Sequence, residues 1–477
     1  MLLYRFRWVF CQLDALQHSF PQNIRQYLNE LPDTLDETYD RILKEISKAS
    51  KDNAHRLLQC LTVAVRPLRV EELAELLAFD FHASTERGIP TLKEDWRWDD
   101  EEEAVLSICS SLITIIPRDD SRVVQFSHFS VKEYLTSSRL AQSPHADISR
   151  FRIDLEPAHT IMAQSCLATL LRLDEHSDAK VSPLVEYAAG HWIEHAQVET
   201  VPLRLRDGMD DLFDSSKPHF AAWLRVHDMD DRWAMFSPHS RDDVGTPLYY
   251  AAFCGFYDLA ERLITKHPEQ VNAIGGYNHF PLPAALYNRH FHVANLLYRH
   301  GAVVDVQGDD EWTPLHAASS NGQVDIIRWL LNHGADIDAC DWDDLTPLMQ
   351  AAYGLQLEAV QVLFEHHADI NSRDIGGWTS LYWILAGRAS KEKFVDMVRL
   401  LLELGADPNI CTKDHKTPLH EASSRGLLEA ARLLLSHGAK VDEKDIWGMT
   451  PIQLAASNGH EELTKLLVEH GAVPPSP

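Results

Sequence analysis

Two histidines spaced four residues apart have the clearest potential for metal chemistry. His191 and His195 lie in the segment HWIEH, and residues four apart share one face of a helix, as zinc-binding pairs do. The sequence offers no third ligand nearby, and Trp192 lies between the two histidines. We therefore interpret them as a hydrogen-bonded pair at an interface, and we predict no metal site.

Sequence motifs of the common catalytic sites are absent. The chain contains no G-x-S-x-G, H-E-x-x-H or C-x-x-C segment, and no Gly-Lys pair of a phosphate-binding loop. Its seven cysteines are scattered and odd in number, which predicts reduced and mostly buried thiols. We therefore predict that the protein is not an enzyme, and we assign it no catalytic residue and no cofactor.

The net charge argues against two classes of partner. The chain carries 44 basic and 71 acidic residues, a net charge of −27 that is shared evenly between its halves. Acidic surfaces repel phosphate backbones and anionic lipids, so we expect no nucleic acid and no membrane as partner. No apolar run has the length of a membrane span, and the first residues do not resemble a signal peptide. These features favour a cytoplasmic location.

A repeat of about 33 residues fills the second half of the chain. A slot that begins Thr-Pro-Leu, or a close variant, recurs at spacings of 34, 33, 33, 33, 38 and 33 residues. Its seven first residues are Thr246, Phe280, Thr313, Thr346, Thr379, Thr417 and Thr450. A second slot, HGA or a variant of it, keeps the same period. Two independent slots with one period indicate an array of seven structural units.

The segment TPLH, at residues 313–316 and 417–420, resembles the ankyrin repeat. The resemblance implies pairs of antiparallel helices joined by projecting hairpins, and Thr-Pro is a typical helix start. The glycines expected to end helices are Gly322, Gly334, Gly426 and Gly459. The predicted fold class is mainly α, with a helical, winged-helix N-terminal region followed by an ankyrin-repeat α-solenoid with short β-hairpin fingers.

Departures from the repeat predict where the array is weakest. His367 and Leu355 replace glycines, and Phe280 replaces the opening threonine of the second unit. A non-glycine residue in a left-handed position costs about 1 kcal/mol. The fifth unit has five extra residues near 387–393, which we expect to lengthen the turn between its helices. We therefore predict that units four and five are the least stable.

The first half begins with a predicted run of helices. An amphipathic helix is expected over residues 35–46, opened by a capping box of Thr34 and Glu37. Further helices are expected at about 52–65, 70–79 and 102–112. Three more, near 156–172, 183–196 and 217–227, would connect this region to the repeats.

A change of period between these helices predicts a β-hairpin. Ile113–Ile116 and Val123–Phe126 flank a polar turn, and a helix with a Ser130–Glu133 capping box should follow at once. Helices followed by a hairpin indicate a winged helix, a fold that often binds DNA. The acidic segment at residues 95–103 makes DNA binding unfavourable.

Three segments resemble fungal NACHT–ankyrin proteins of the STAND class, which are relatives of NLR immune receptors. They are LPDTLDETYDRIL (31–43), RPLRVEELAELLAFD (66–80) and FSHFSVKEYL (126–135). The resemblance implies the winged helix named after GPI inositol-deacylase, placed directly after a nucleotide-binding domain. In complete members of the wider family, a histidine in the position of His128 contacts the phosphate of the nucleotide. Because the phosphate-binding loop is missing, the chain resembles a fragment without that domain.

These patterns divide the chain into four predicted regions. They are a remnant of the NACHT-associated helical region (1–50), the winged-helix domain (51–145), a helical connector (146–243) and the ankyrin repeats (244–477). We predict an interaction protein that recognises another, unidentified protein. The alternative is a truncated product of a STAND NTPase switch, with its nucleotide-binding domain encoded upstream of Met1 or supplied in trans.

The predicted partner-binding residues lie on the hairpins between repeats. Exposed aromatic residues are the usual anchors of protein interfaces, and acids beside them favour a partner with a basic patch. The alternative for each tryptophan is that it packs on the neighbouring hairpin. The candidates are Trp312, Trp342, Trp378, Trp447, Asp310, Glu311, Asp343 and Asp344.

Overall fold

A computed structural model describes residues 34–81, 88–118, 121–174, 182–198, 200–227, 245–276, 280–308, 311–387 and 391–473. The chain forms two compact units. One comprises Met1–Pro247 and Asp258–Leu263, and the other Leu248–Tyr257 and Ile264–Pro477. Within the described ranges, none of the helices combines the length and the apolar character that a membrane span requires. The six cysteines in these ranges are free, and four of them are buried.

The first unit consists mainly of helices, and those predicted from the sequence are confirmed. Before the hairpin they are α1 (Leu35–Glu45), α2 (Lys51–Val63), α3 (Val70–Leu77) and α4 (Glu101–Cys109). After it come α5 (Phe129–Leu135), α6 (Ser138–Ala141), α7 (Ala146–Ser149), α8 (Leu155–Leu170), α9 (Val185–Ala196), α10 (Val201–Arg204), α11 (Arg206–Leu212) and α12 (Pro218–Val226). The short helices α6, α7, α10 and α11 were not predicted.

A three-stranded antiparallel sheet lies among these helices. The predicted hairpin is confirmed as β4 (Ile113–Arg118) and β5 (Ser121–Phe126). The strand β1 (Leu68–Arg69) pairs with the other side of β5, so the order is β1-β5-β4. A second, two-stranded sheet joins β2 (Phe79–Asp80) to β3 (Thr91–Leu92). Strands of two residues have no measurable period, which is why the sequence did not predict β1–β3.

The two predicted capping boxes have different outcomes. Thr34 and Glu37 form a reciprocal box at the start of α1, as predicted. The Ser130–Glu133 box is wrong, because α5 begins earlier and its N-cap is His128, whose Nδ1 accepts a hydrogen bond from the Ser130 N–H. Ser130 is instead buried inside the helix, where its hydroxyl lies 2.8 Å from the Tyr39 hydroxyl.

Buried carboxylates and aromatic rings hold the first unit together. Glu72 on α3 is fully buried and accepts hydrogen bonds from the side chains of Arg66 and Arg69 at 2.6–3.0 Å. In the connector, the rings of Trp192, Phe213 and Trp223 pack against one another, with centroids 5.6–6.2 Å apart. These contacts join α9, the C-terminal end of α11 and α12 into one aromatic core.

Seven helix pairs follow at the predicted positions, and they confirm the repeat. The first helices are α13 (Pro247–Cys254), α15 (Pro281–Tyr287), α17 (Pro314–Ser320), α19 (Pro347–Tyr353), α21 (Ser380–Ala386), α23 (Pro418–Arg425) and α25 (Pro451–Ser457). The second helices are α14 (Tyr257–Lys266), α16 (Phe291–Arg299), α18 (Val324–Asn332), α20 (Leu357–Glu365), α22 (Lys391–Glu403), α24 (Leu428–Ser436) and α26 (Glu461–Glu469). From the third repeat on, the first helix of each repeat packs against the first helices of the neighbouring repeats.

In the repeats, the positions at which a helix-ending glycine is expected are left-handed whether or not they hold glycine. All four glycines predicted to end helices have φ between 67° and 88°. Leu355 and His367, which replace glycines in the fourth unit, adopt the same conformation at φ 56° and 73°. The fourth repeat therefore carries the backbone strain that the sequence predicts. Phe280 opens α15 without a side-chain cap.

The insertion in the fifth unit does not mainly lengthen the turn, contrary to expectation. Three residues separate the helices of the third, fourth and seventh repeats, two separate those of the sixth, and four separate α21 from α22. The remaining extra length lies in α22, which has 13 residues where the second helices of those four units have 9. Extending a helix satisfies the added backbone groups internally, whereas a longer loop would leave them to solvent.

Candidate protein-binding surface

The candidate residues lie on hairpin tips, which we define as the five residues before a threonine slot. The tips are 308–312, 341–345, 374–378, 412–416 and 445–449. In each tip the first N–H donates to the fifth carbonyl, and the fourth N–H donates to the first carbonyl, at 2.8–3.1 Å. The fourth residue is always left-handed, with φ between 58° and 80°. One turn geometry therefore recurs despite five different sequences.

A buried side chain at the first position holds most tips in shape. Asp341, Asp374 and Asp445 each accept, through Oδ1, two backbone N–H groups of their own tip at 2.7–3.0 Å. In the tip 412–416, the hydroxyl of Thr412 accepts the Lys416 N–H at 3.2 Å. This is the local hydrogen bonding for which short polar side chains are favoured in turns. The apex residues take no part in it with their side chains.

Backbone hydrogen bonds join neighbouring tips into a row. The N–H groups of Ile375, Lys413 and Ile446 donate to carbonyls of the preceding tips, those of Asp343, Gly376 and Asp414, at 3.0–3.1 Å. Since these bonds use no side chain, the spacing of the tips does not depend on the apex residues. We call this set of bonds the tip ladder.

Two of the four candidate tryptophans project from the row. Trp342 is 65% exposed and Trp447 is 64% exposed. They occupy the second and third positions of their tips, at the apex of the turn. The ammonium group of Lys416 lies 5.1 Å from the centroid of the Trp447 ring, on its face. Both indoles therefore offer apolar area that the fold does not use.

The other two tryptophans pack partly against their own repeats, contrary to the expectation that the rings project freely. Trp312 is 36% exposed, and its indole N–H donates to Asp341 at 3.0 Å. Trp378 is half-buried against Tyr382 and Trp383, with ring centroids 4.8 and 5.0 Å apart. Both occupy the fifth position of a tip, directly before the helix, and this position explains their burial.

The charged candidates form only part of the row. Glu311 and Asp344 are exposed at the fourth position of their tips, and Asp343 is half-buried. Asp310 lies outside the described residues. The sequence analysis missed the basic tip, in which Lys413 and Lys416 flank Asp414, and it missed two exposed isoleucines at apex positions, Ile375 and Ile446. Numbering each tip from its threonine slot would have identified all of them.

The predicted histidine pair does not act as a pair. His191 bonds weakly to Glu194 at 3.4 Å. His195 is buried, and its two ring nitrogens lie 2.9 Å from His159 Nδ1 and from the Tyr187 hydroxyl. Burial is the main cause that lowers the pKa of His195 to about 4. Among the described residues, no group of three or more His, Cys, Asp and Glu side chains could hold a metal ion.

His128 lies at the start of α5, next to the winged-helix hairpin. Its Nδ1 is 2.6 Å from the Ser130 hydroxyl, and its ring packs on Phe129 with centroids 4.2 Å apart. The side chain is half-buried. In this position the imidazole caps α5, and it also contacts the Ser130 hydroxyl that lies against Tyr39 of α1.

Two protein families match parts of the chain. Ankyrin repeats match residues 282–374 and 386–476. The winged helix domain of GPI inositol-deacylase matches residues 42–147. The chain therefore contains a winged helix domain of this type followed by ankyrin repeats.

Two relatives and a solved structure are similar to parts of the chain. The azaphilone pigments biosynthesis cluster protein L of Monascus ruber is 33% identical over an alignment of 310 positions, which covers 60% of this chain and 63% of that protein. An ankyrin repeat protein of fowlpox virus is 51% identical over 35 residues, 7% of this chain and 5% of its own. The ankyrin repeat domain of Bcl-3 aligns with 48% of this chain and 100% of its own, at 28% identity and a TM-score of 0.42.

Proposed function

We propose that this chain is a protein-recognition scaffold, and that the row formed by its hairpin tips, which we call the tip row, binds a protein partner. The observation that carries the proposal is the exposure of Trp342 and Trp447 at apex positions that the fold does not need. The tip ladder and the buried aspartates hold these positions, so the rings are presented at fixed spacing. Large aromatic side chains on a preorganised surface contribute most of the binding energy in protein interfaces.

The charges of the tips suggest the chemistry of the partner. Glu311, Asp343 and Asp344 surround the Trp342 side of the row, and they favour a basic patch that would approach faster at low salt. Lys416 lies on the face of Trp447, and Lys413 belongs to the same tip as Lys416, so an acidic or carbonyl-rich segment fits there. A partner with both features would bind in one orientation.

We further propose that the chain is part of an NLR-like receptor, acts in the cytoplasm and has no catalytic activity. The order of a winged helix domain before ankyrin repeats supports this proposal. The alternative is a STAND NTPase switch completed by a nucleotide-binding domain in preceding sequence or in trans, and His128 in the F-x-H-x-S slot favours it.

The tip row is tested by proximity labelling with the full chain. The double variant Trp342→Ala, Trp447→Ala should lose the partners captured by the wild type, with each ring contributing about 1–3 kcal/mol to binding. A matched control removes Trp96 and Trp98, which are 49% and 48% exposed in the first unit. If the tip variant keeps every partner, or if both variants lose the same ones, the proposed surface is wrong.

The alternative is tested by the thermal stability of the purified chain. A ligand that binds the native state raises its melting temperature, and without a phosphate-binding loop we expect ATP and GTP to have no effect. His128→Ala should lower stability modestly and leave partner binding intact. Saturable micromolar binding of either nucleotide, lost in His128→Ala, would instead favour the switch.

A further inference from the structure

Four aromatic side chains of the fourth and fifth repeats form a continuous cluster, which we call the aromatic cluster: Tyr353, Trp378, Tyr382 and Trp383. The ring of Trp383 lies 5.7 Å from Tyr353 at 86° and 5.0 Å from Trp378 at 58°, measured between centroids and ring planes. Trp378 also lies 4.8 Å from Tyr382. The rings are therefore steeply inclined to one another and do not form a flat stack.

The cluster is open to solvent, and the repeat fold does not require it. Tyr353 is 55% exposed, and Trp378 and Trp383 are half-buried. The residues equivalent to Trp383 in the third, fourth, sixth and seventh repeats are Ala317, Gln350, Glu421 and Leu454. Those equivalent to Tyr353 in the third, fifth, sixth and seventh repeats are Ser320, Ala386, Ser424 and Ser457. The first two repeats also hold rings at the position of Tyr353 (Phe253 and Tyr287), and the first holds one at that of Trp383 (Tyr250). The fourth and fifth repeats alone combine a ring at the first of these positions with a ring at the second position in the next repeat.

Two carboxylates accept hydrogen bonds from side chains of the cluster. The indole N–H of Trp383 donates to Asp374 Oδ2 at 2.8 Å, and the Tyr382 hydroxyl donates to Glu421 at 3.3 Å. A carboxylate that accepts the N–H of an indole makes the faces of that ring more negative. The guanidinium of Arg425 bonds to the carbonyls of Leu385 and Gly387, and that of Arg373 bonds to the carbonyls of Gly377 and Cys411.

We propose that the aromatic cluster binds an alkylated ammonium group, a methylated lysine of the partner protein. This inference rests on the proposed function and names the chemistry of one contact. Cations bind within about 6 Å of an aromatic centroid, and the spacing of the rings lets one cation contact Tyr353, Trp378 and Trp383 together. Asp374 already accepts three hydrogen bonds, so beside Trp378 and Trp383 the cluster offers ring faces and negative charge rather than a vacant acceptor. A fully alkylated ammonium has no N–H donor, so ring faces and negative charge are enough to bind it. A free ammonium or a guanidinium also needs vacant hydrogen-bond acceptors for its N–H groups.

The first experiment compares choline with its uncharged isostere, in which a tert-butyl group replaces trimethylammonium. Both are titrated into the full chain, and the indole N–H resonances of Trp378 and Trp383 are followed by NMR. We expect a saturable shift with choline and a response at least about fivefold weaker with the isostere, because only choline carries the charge. Equal responses, or no saturable shift with choline, would overturn the proposal.

Variants assign the response to the cluster. Tyr353→Ala removes an exposed ring, so it should fold, and it should weaken choline binding about fivefold or more. Glu421→Gln keeps the shape and removes the charge, and we expect a smaller loss of the same sign. Trp98→Ala removes a 48% exposed indole of the first unit, so it is the matched control outside the cluster and should bind choline like the wild type. Binding that survives Tyr353→Ala and Glu421→Gln unchanged would contradict the assignment.

A second experiment uses synthetic peptides with a central lysine in unmethylated and trimethylated forms. The trimethylated peptides should bind at least about fivefold more tightly, and equal affinities would overturn the proposal. Its failure is distinguishable from failure of the tip row. If choline does not bind while the double tip variant loses the partner, only the present inference is wrong. If choline binds while that variant keeps every partner, the tip row is wrong.

Discussion

In the first unit, several buried polar side chains bond to residues far away in the chain, whereas in the repeat array the buried histidines bond to residues about one repeat apart. Tyr39 bonds to Ser130 across 91 residues, and Ser182 to Glu75 across 107. In the array, His316 and His420 each bond to a carbonyl 29 residues further on. The first unit should therefore fail as a whole when one contact is lost, and the array should fail locally.

The largest expected effect is at Glu72 in the first unit. Glu72→Ala removes a fully buried carboxylate and leaves Arg66 and Arg69 without their shared partner. Because both arginines are about one-third exposed, solvent relieves part of the cost, and we expect a loss of about 2–3 kcal/mol in the free energy of unfolding. Chemical denaturation measures it, with Glu71→Ala on the same helix as the control. Equal effects of the two variants would show that the buried pairing contributes nothing.

The next effect is the response of the first unit to acid. The folded-state pKa of His195 is about 4, below its ordinary value of 6.5, mainly because of burial. Between these values the unfolded state binds more protons, so stability is complete above pH 6.5 and is lost as the pH falls toward 4. We expect His195 to contribute on the order of 2 kcal/mol to this loss.

The control for the acid response is the variant His195→Gln, which cannot titrate. Its free energy of unfolding should depend less on pH across this window. Identical pH profiles for the wild type and the variant would assign the acid sensitivity to other groups. His159, whose pKa burial also lowers, is the first candidate among them.

A smaller effect tests the local behaviour of the array. His367 is exposed and left-handed, and Gly334 holds the equivalent position one repeat earlier. His367→Gly should stabilise the array, and Gly334→His should destabilise it, each by about 1 kcal/mol. A Cβ atom at Gly334 would meet no atom within 4 Å, so the change measures backbone strain without a clash.

Hydrogen exchange should confine both effects to the repeats that contain the substitution and their neighbours. In the wild type, exchange should be fastest in the fourth and fifth repeats. Uniform protection across the seven repeats would contradict the local model, and so would a change that spreads through the whole array.

The smallest effect is expected at the apex of the tips. Trp342→Ala should change the free energy of unfolding by no more than about 0.5 kcal/mol, since its ring is exposed. Trp312→Ala should cost about 1 kcal/mol, because its indole N–H bonds to Asp341. Thermal unfolding of the two variants checks this order. The reverse order would mean that the exposed ring stabilises the fold.

The sequence predicted the array better than the first unit because the array repeats its contacts. The helix starts at the threonine slots and the left-handed positions at Leu355 and His367 follow from comparing one repeat with the next. The strand β1, the cap at His128 and the His159–His195 contact have no such internal comparison. The strand and the histidine contact each depend on a partner far away in the chain, about which periodicity carries no information. The cap at His128 is local, but histidine is not among the residues that usually cap helices.

The candidate site was predicted in the same uneven way. The sequence placed the four tryptophans on the tips, and the position within the tip decided which of them project. It missed the aromatic cluster because Tyr353 and Trp383 belong to different repeats, and their contact appears only when the helices are stacked. The residues that depart from the repeat at equivalent positions were the available signal.

The tip ladder has a consequence for how this surface can change over evolutionary time. Main-chain atoms alone make its bonds, so any residue at an apex position preserves them, apart from a proline that replaces a donor. A mutation there alters what the surface recognises without any cost to the fold. Substitutions at the apex positions can therefore change binding specificity while the main-chain bonds that stabilise the row stay the same. Related chains can diverge rapidly in the partners they bind while they keep one architecture.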